Sequence, residues 1–237
     1  MGGSRREGSR QPQLYLLGSF QLLLGDEMTR LAVPSQRVVA LLGLQNSRPV
    51  GRSYVAGTLW PDVEEASARS DLRSALWKLG QLRDDIFEVT NDELRLRPDV
   101  TIDLREMRAT AHRLLHDSRD GTDLSPELFA DDLLPEWSDG WVEAERESYR
   151  QLRLHALEQL SERLATAGRF GPAVEAGLLA VAGGPLRESA HRMVIRVLVM
   201  EGNRAEARRR YGELSDLLRD EMGVEPSFGL EEIIAST

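Results

Sequence analysis

Between Ser53 and Arg83 the chain reads SYVAGTLWPDVEEASARSDLRSALWKLGQLR. This pattern predicts a short helix, an acidic turn and a second, amphipathic helix. On the second helix Ala68, Leu72, Ala75, Leu76, Leu79 and Leu82 recur at helical spacing and make one apolar face. The opposite face carries Arg69, Ser70, Arg73, Ser74, Trp77 and Lys78. A helix that buries one side and offers guanidinium, hydroxyl and ammonium groups on the other fits a DNA major groove. An ordinary surface helix with solvated charges has the same pattern, so the flanking sequence has to decide.

Upstream, Leu14–Leu17 and Phe20–Leu24 read as short apolar strands, with Gly18 and Gly25-Asp26 as turn signals. Ser35 is the expected cap of a helix running to about Asn46, with Val38, Val39, Leu41 and Leu42 facing a core. Ser53 is the expected cap of the next short helix, and Pro61 marks its end. Downstream, Ile86–Thr90 and Leu94–Arg97 flank Asn91-Asp92-Glu93, a hairpin signal. Strands, three helices and a terminal hairpin follow the order of a winged helix, in which the hairpin is the wing. Arg95 and Arg97 alternate onto one face of the wing strand and are candidate phosphate contacts, although solubility alone also accounts for them. Asp92 and Glu93 would repel phosphate, so the wing tip is expected to stay off the DNA.

From Thr101 onward the strand signals cease and the pattern becomes helical. Helices are expected over Leu104–His116 and from about Asp139 to Ala167, separated by a polar loop through Asp117–Ser125. Leu164, Gly168 and Ala173 then recur as Leu198, Gly202 and Ala207, each 34 residues on. Thirty-four residues is the tetratricopeptide period, and stacked helix pairs of that kind form protein-docking surfaces more often than active sites. Trp137 and Trp141, one helical turn apart, are expected to anchor the junction between the two halves.

Net charge is −9, which at first opposes nucleic-acid binding. The excess lies wholly in the second half: residues 1–100 hold 13 basic and 13 acidic side chains, residues 101–237 hold 17 and 26. A neutral first half can present a local basic face without a strong non-specific grip on phosphate. The N-terminal MGGSRREGSRQPQ has no apolar core of a secretory signal and reads as a disordered basic arm over residues 1–12. No apolar run is long enough to span a bilayer. There is no cysteine, which removes thiol catalysis and cysteine-ligated zinc and fits a reducing cytoplasm. His112 and His116 stand at metal-binding spacing, but no third ligand is legible. No catalytic constellation and no cofactor motif is present, so no enzyme activity and no cofactor is expected.

Several segments together carry a likeness: the LWPD turn, SARSDLRSALWKL, WVEAERESYR, AGRFGPAVEA, PLRESAHRMVIRVLVMEGNRAEARRRY and the closing EMGVEPS. From about Leu14 to Ile234 the chain resembles the Streptomyces antibiotic regulatory protein family. The resemblance implies a mainly α fold with a small β component. An OmpR-type winged helix-turn-helix (13–100) would precede a tetratricopeptide-like bacterial transcriptional activator domain (101–237). It further implies a transcriptional activator that binds direct repeats in double-stranded promoter DNA, often as a homodimer. Such an activator contacts RNA polymerase and its sigma factor, here for a secondary-metabolite gene cluster. No GxxxxGK phosphate loop is present, so the chain is expected to be the short form of the family. Two recognition positions that are often Arg or His in relatives are here Ala75 and Gly80.

On this reading Arg69, Ser70, Arg73, Ser74, Trp77 and Lys78 are the expected groove and phosphate contacts, with Arg73 the base reader through guanine O6 and N7. Arg37, Arg52, Arg95 and Arg97 are lesser candidates for backbone positioning. The acidic turn with Trp60, Asp62, Glu64 and Glu65 is the candidate polymerase-facing surface. The competing reading is a tetratricopeptide-type adaptor whose winged helix does not bind DNA, which the neutral first half favours.

Overall fold

The computed structural model describes residues 11–45, 48–117 and 123–236, within which two compact units form. The first comprises residues up to Glu106 together with Asp132–Glu147; the second comprises Met107–Asp131 and everything from Ser148 on. The fold is mainly α with a small β component at the N-terminal end.

In the first unit, β1 (Pro12–Tyr15), β2 (Gln21–Leu24) and β3 (Glu27–Met28) make an antiparallel meander. A short strand β7 (Thr101–Ile102) lies parallel to β1, giving the order β3-β2-β1-β7. The expectation of no strand beyond Thr101 is thereby corrected. Two residues carry no legible period, and their pairing is set by the distant partner Gln13–Leu14. The first strand also ends earlier than expected, at Tyr15. Its line continues as an isolated bridge of Leu17 to Leu133, with Gly18 N–H donating to Asp132 O (2.8 Å) and Leu134 N–H to Leu16 O (2.9 Å). Asp103 accepts the N–H groups of Leu16, Leu17 and Leu104, and so ties the end of β1 to the start of α5 (Asp103–His116).

Helix α1 spans Val33–Leu44 with Pro34 in its first turn and Ala32 rather than Ser35 at the cap position. Ser35 is inside the helix and buried, its hydroxyl donating to Ala75 O at 2.9 Å. The buried row Val38, Val39, Leu41 and Leu42 is as the spacing predicts. Gly43 lets the sheet press close: a Cβ there would lie 2.8 Å from Leu14 Cδ2. Helix α2 (Arg52–Leu59) begins after Gly51, so Ser53 is likewise a helical residue and not a cap. Helix α3 (Glu65–Trp77) packs on α1 and α2. A single turn α4 (Leu82–Ile86) leads into the hairpin β5 (Phe87–Val89) and β6 (Glu93–Leu96). The two-residue strand β4 (Val50–Gly51) pairs with β6, so the wing is a three-stranded sheet in the order β4-β6-β5.

Residues 132–147 complete this unit. Trp137 stacks on Phe20 (5.9 Å between ring centroids) and meets Trp141 edge-on (6.0 Å). Arg146 donates to three main-chain carbonyls, those of Leu133 (2.8 Å), Leu134 (2.6 Å) and Trp137 (2.5 Å).

The second unit is helical. It contains the remainder of α5 and of α6 (Gly140–Thr166), a 3-10 turn at Pro126–Phe129, then α7 (Phe170–Gly183), α8 (Glu188–Glu201), α9 (Arg204–Met222) and α10 (Leu230–Ser236). The 34-residue recurrence is physical. Arg169 N–H donates to Leu164 O and Asn203 N–H to Leu198 O, both at 2.8 Å. Gly168 and Gly202 both take left-handed backbone (φ 73° and 88°), the conformation that lets a helix end and reverse. Ala173 and Ala207 are both buried at the start of the following helix. Where the first copy has Arg169, the second has Asn203, whose side chain caps α9 by accepting from Glu206 N–H.

Glu158 on α6 takes Arg187, at the start of α8, at 2.6 Å, and also accepts from Ser189. Burial alone would raise the Glu158 pKa, but the hydrogen bonds from Arg187 and Ser189 and the Arg187 charge outweigh it and hold it below 4.5. A carboxylate depressed on folding contributes stability that is present above the unfolded value and lost as pH falls through the folded one. Glu158→Gln is therefore expected to cost about 2–3 kcal/mol near neutral pH, towards the low end for breaking a buried pair. That gap should narrow once pH falls below 4.5 and close as it passes through the depressed Glu158 value. Urea melts of both proteins at pH 7 and at a descending series of acid pH values check it; a gap that stays constant with pH contradicts it.

Candidate nucleic-acid interface

The α2–turn–α3 segment has helix-turn-helix form. Helix α3 buries Ala68, Leu72, Ala75 and Leu76, with Leu79 and Leu82 buried beyond its end. The pinning bond from Ser35 fixes its rotation. Arg69, Ser70, Arg73, Ser74, Trp77 and Lys78 all stand on the exposed side. Glu65 in the first turn suits the helix dipole, and Glu64 precedes it without a capping side-chain bond. Gly80 follows in left-handed backbone (φ 57°), so it ends the turn after α3. The two positions singled out by family resemblance thus offer no groove contact here: Ala75 is 1% exposed against the core, and Gly80 lies past the helix.

The expected basic residues divide by partner. Arg69 donates to Glu65 (2.6 Å) and to Ser53 Oγ (2.9 Å), which joins α3 to α2. Arg95 is paired with Glu88 across the hairpin, and Arg97 with Asp99 at 3.1 Å. Arg37 is half-buried against Asp139, so it holds 132–147 to α1 rather than standing free for a phosphate. The side chains of Arg73 and Lys78 have no ion-pair or hydrogen-bond partner among the described residues. Arg52 donates through its main chain to Asp92 O (2.8 Å) and reaches towards Thr90 O (3.4 Å), linking α2 to the wing.

These elements line a cleft of about 450 Å³ between the α2 start, α3 and the wing tip. Arg52, Arg69 and Arg73 line it together with Asn91 and Asp92. The wing tip therefore lies beside the arginines of α2 and α3. Ser53, which orients Arg69, was missed by the sequence reading, because a serine two residues after a glycine gives only a capping signal. Glu65 as its partner was legible in the i,i+4 spacing. In the acidic turn, Asp62 and Glu64 are exposed and Trp60 is half-buried. In the second unit His112 and His116 stack at 6.2 Å, and among the described residues no three metal-ligating side chains cluster. Among the same residues no helix is long and apolar enough to cross a membrane.

The family model of the bacterial transcriptional activator domain matches residues 103–236, more than half of the chain. The chain belongs to this bacterial transcriptional activator domain family. The resemblance to the Streptomyces antibiotic regulatory proteins stands with it. Over 243 aligned residues the chain is 25% identical to the regulatory protein AfsR of Streptomyces coelicolor, covering 97% of this chain and 24% of AfsR. It thus spans about a quarter of that relative's length. The solved structure of Mycobacterium tuberculosis EmbR, determined in complex with a low-affinity phosphopeptide, superposes with a TM-score of 0.75 at 20% identity. That match covers 95% of this chain and 64% of EmbR, and it shows the fold: a winged helix-turn-helix followed by the helical activator domain. The activator-domain match begins at the first residue of α5 and includes Asp132–Glu147, which group with the winged-helix unit. The chain thus carries the activator domain together with a helix-turn-helix.

Proposed function

We propose that this regulator is a sequence-specific activator that lays α3 in the major groove of promoter direct repeats and recruits RNA polymerase through its sigma factor. In this reading residues 13–100 are the DNA-binding domain and 101–237 the activator domain. Two copies sit on one operator, the regulated genes form a secondary-metabolite cluster, and the protein works in the cytoplasm without cofactor or catalysis. The observation that carries it is the state of Arg73 and Lys78. Both are exposed on one helix and lack a carboxylate partner among the described residues, whereas Arg37, Arg69, Arg95 and Arg97 each have one. An unneutralised guanidinium on a helix of fixed rotation is the group that pairs with guanine.

The adaptor reading is favoured by the zero net charge of residues 1–100. A gel shift on the neighbourhood of the gene, repeated over a range of salt, separates the two readings. A preferred site whose affinity falls with salt supports the activator; no preferred site supports the adaptor.

The turn before α3 supplies the candidate polymerase surface, since exposed acids steer basic partners. Glu64→Lys with Glu65→Lys is expected to lower transcript yield several-fold while DNA binding holds or tightens, because Arg69 loses its Glu65 partner. In-vitro transcription beside a gel shift on one promoter reads both. Unchanged transcript levels would remove this turn from activation.

A further inference from the structure

Trp77 is the most exposed large apolar side chain among the described residues, at 80%. It is the last residue of α3 and stands one helical turn beyond Arg73, on the same strip of surface. Its neighbours on that strip, Ser70 and Ser74, are short, so nothing on α3 shields the indole. An indole in water costs free energy that a partner surface recovers. The indole carries one N–H donor and no acceptor, so most of what it offers is apolar. In the major groove the apolar feature of a base pair is the 5-methyl group of thymine.

We propose that Trp77 is a specificity-determining residue that packs its indole on the 5-methyl group of a thymine close to the base pair read by Arg73. This rests on the reading of α3 as the groove helix. Four residues of helix advance about 6 Å. Base pairs are about 3.4 Å apart, so the thymine lies one or two base pairs from the guanine of Arg73. The operator then contains a guanine and a thymine at fixed separation, the first read by paired hydrogen bonds and the second by apolar contact.

The experiment uses the full chain on its mapped operator, with each thymine in turn replaced by deoxyuridine, which removes only the methyl group. Dissociation constants are read by fluorescence anisotropy at one salt concentration. At one thymine within two base pairs of the position relaxed by Arg73→Ala, the replacement is expected to weaken wild type about fourfold, the value of one buried methyl. The same replacement is expected to cost Trp77→Ala nothing further, and Trp77→Phe should keep part of the sensitivity. The urea midpoint of Trp77→Ala should equal that of wild type, because the side chain packs on nothing. Equal deoxyuridine penalties in wild type and Trp77→Ala, or no penalty at any thymine, overturn the proposal. So does a Trp77→Ala protein that binds as wild type but loses transcription, which would give the indole to a protein partner. If wild type itself prefers no sequence, the groove-helix reading falls, and this proposal with it.

Discussion

Arg73→Ala is expected to weaken binding to the operator by about 5- to 150-fold and to relax base preference at one position, the cost of one bidentate arginine–guanine contact. The expectation follows from three facts. Leu72 and Ala75 on either side are buried, so the direction of Arg73 is fixed by the core. Among the described residues no carboxylate neutralises it. It also lines the cleft between α3 and the wing with Arg52. Lys78→Ala, at the exposed end of α3, should weaken all sequences alike and reduce the salt slope by about one unit, as expected for a phosphate contact. Arg69→Ala should cost less on binding than Arg73→Ala, since Arg69 must first give up Glu65 and Ser53. Anisotropy titrations on the operator and on a scrambled duplex at several salt concentrations distinguish the three. Equal losses on both duplexes for Arg73→Ala would make it a backbone contact.

Arg146→Ala is expected to lower the stability of the winged-helix unit by at least about 3 kcal/mol, since charge-assisted hydrogen bonds are worth about 1.5–3 kcal/mol each and the acceptor residues Leu133 and Leu134 stay buried. Its guanidinium is the common donor for Leu133, Leu134 and Trp137, which return the chain from the bridge at Leu17 to the start of α6. Leu134 sits in left-handed backbone (φ 40°), a conformation that a leucine adopts only when its surroundings hold it there. Arg146→Lys should recover only part of the loss, because one ammonium cannot serve three carbonyls in the geometry of a planar fork. Urea melts followed by tryptophan fluorescence report on this unit, which holds all four tryptophans. A midpoint unchanged in Arg146→Ala would show that the Leu17 bridge, the Arg37–Asp139 pair and the aromatic stack hold 132–147 without it.

The longer helices were legible because they carry a local period, but the single turn α4 was not, since its Leu82 continues the apolar spacing of α3 past the break at Gly80. The apolar row of α3, the buried row of α1 and the 34-residue recurrence all follow from spacing along the chain. The wing hairpin was legible from its turn residues. What was not legible has no local signal. Strand β7 is two residues long and pairs with a strand almost 90 residues earlier. The grouping of 132–147 with the first unit depends on the bridge at Leu17 and on Arg37 finding Asp139. Ser35 and Ser53 read as caps because serine is a common cap, but Ala32 and Gly51 hold the two cap positions instead. At the candidate interface the residue types and the exposed face were legible. Which arginines are free was not, since Arg37 and Arg97 take partners that no helical spacing reveals.

The central claim is that α3 reads promoter DNA, and the direct test is the affinity of wild type for its best genomic site against random duplex. Groove reading by α3 predicts a ratio of at least about 10³ at near-physiological salt. It also predicts a log–log salt slope of several units for the specific complex and the loss of most of that ratio in Arg73→Ala. A wild-type protein that binds all duplexes equally, or none, would contradict it.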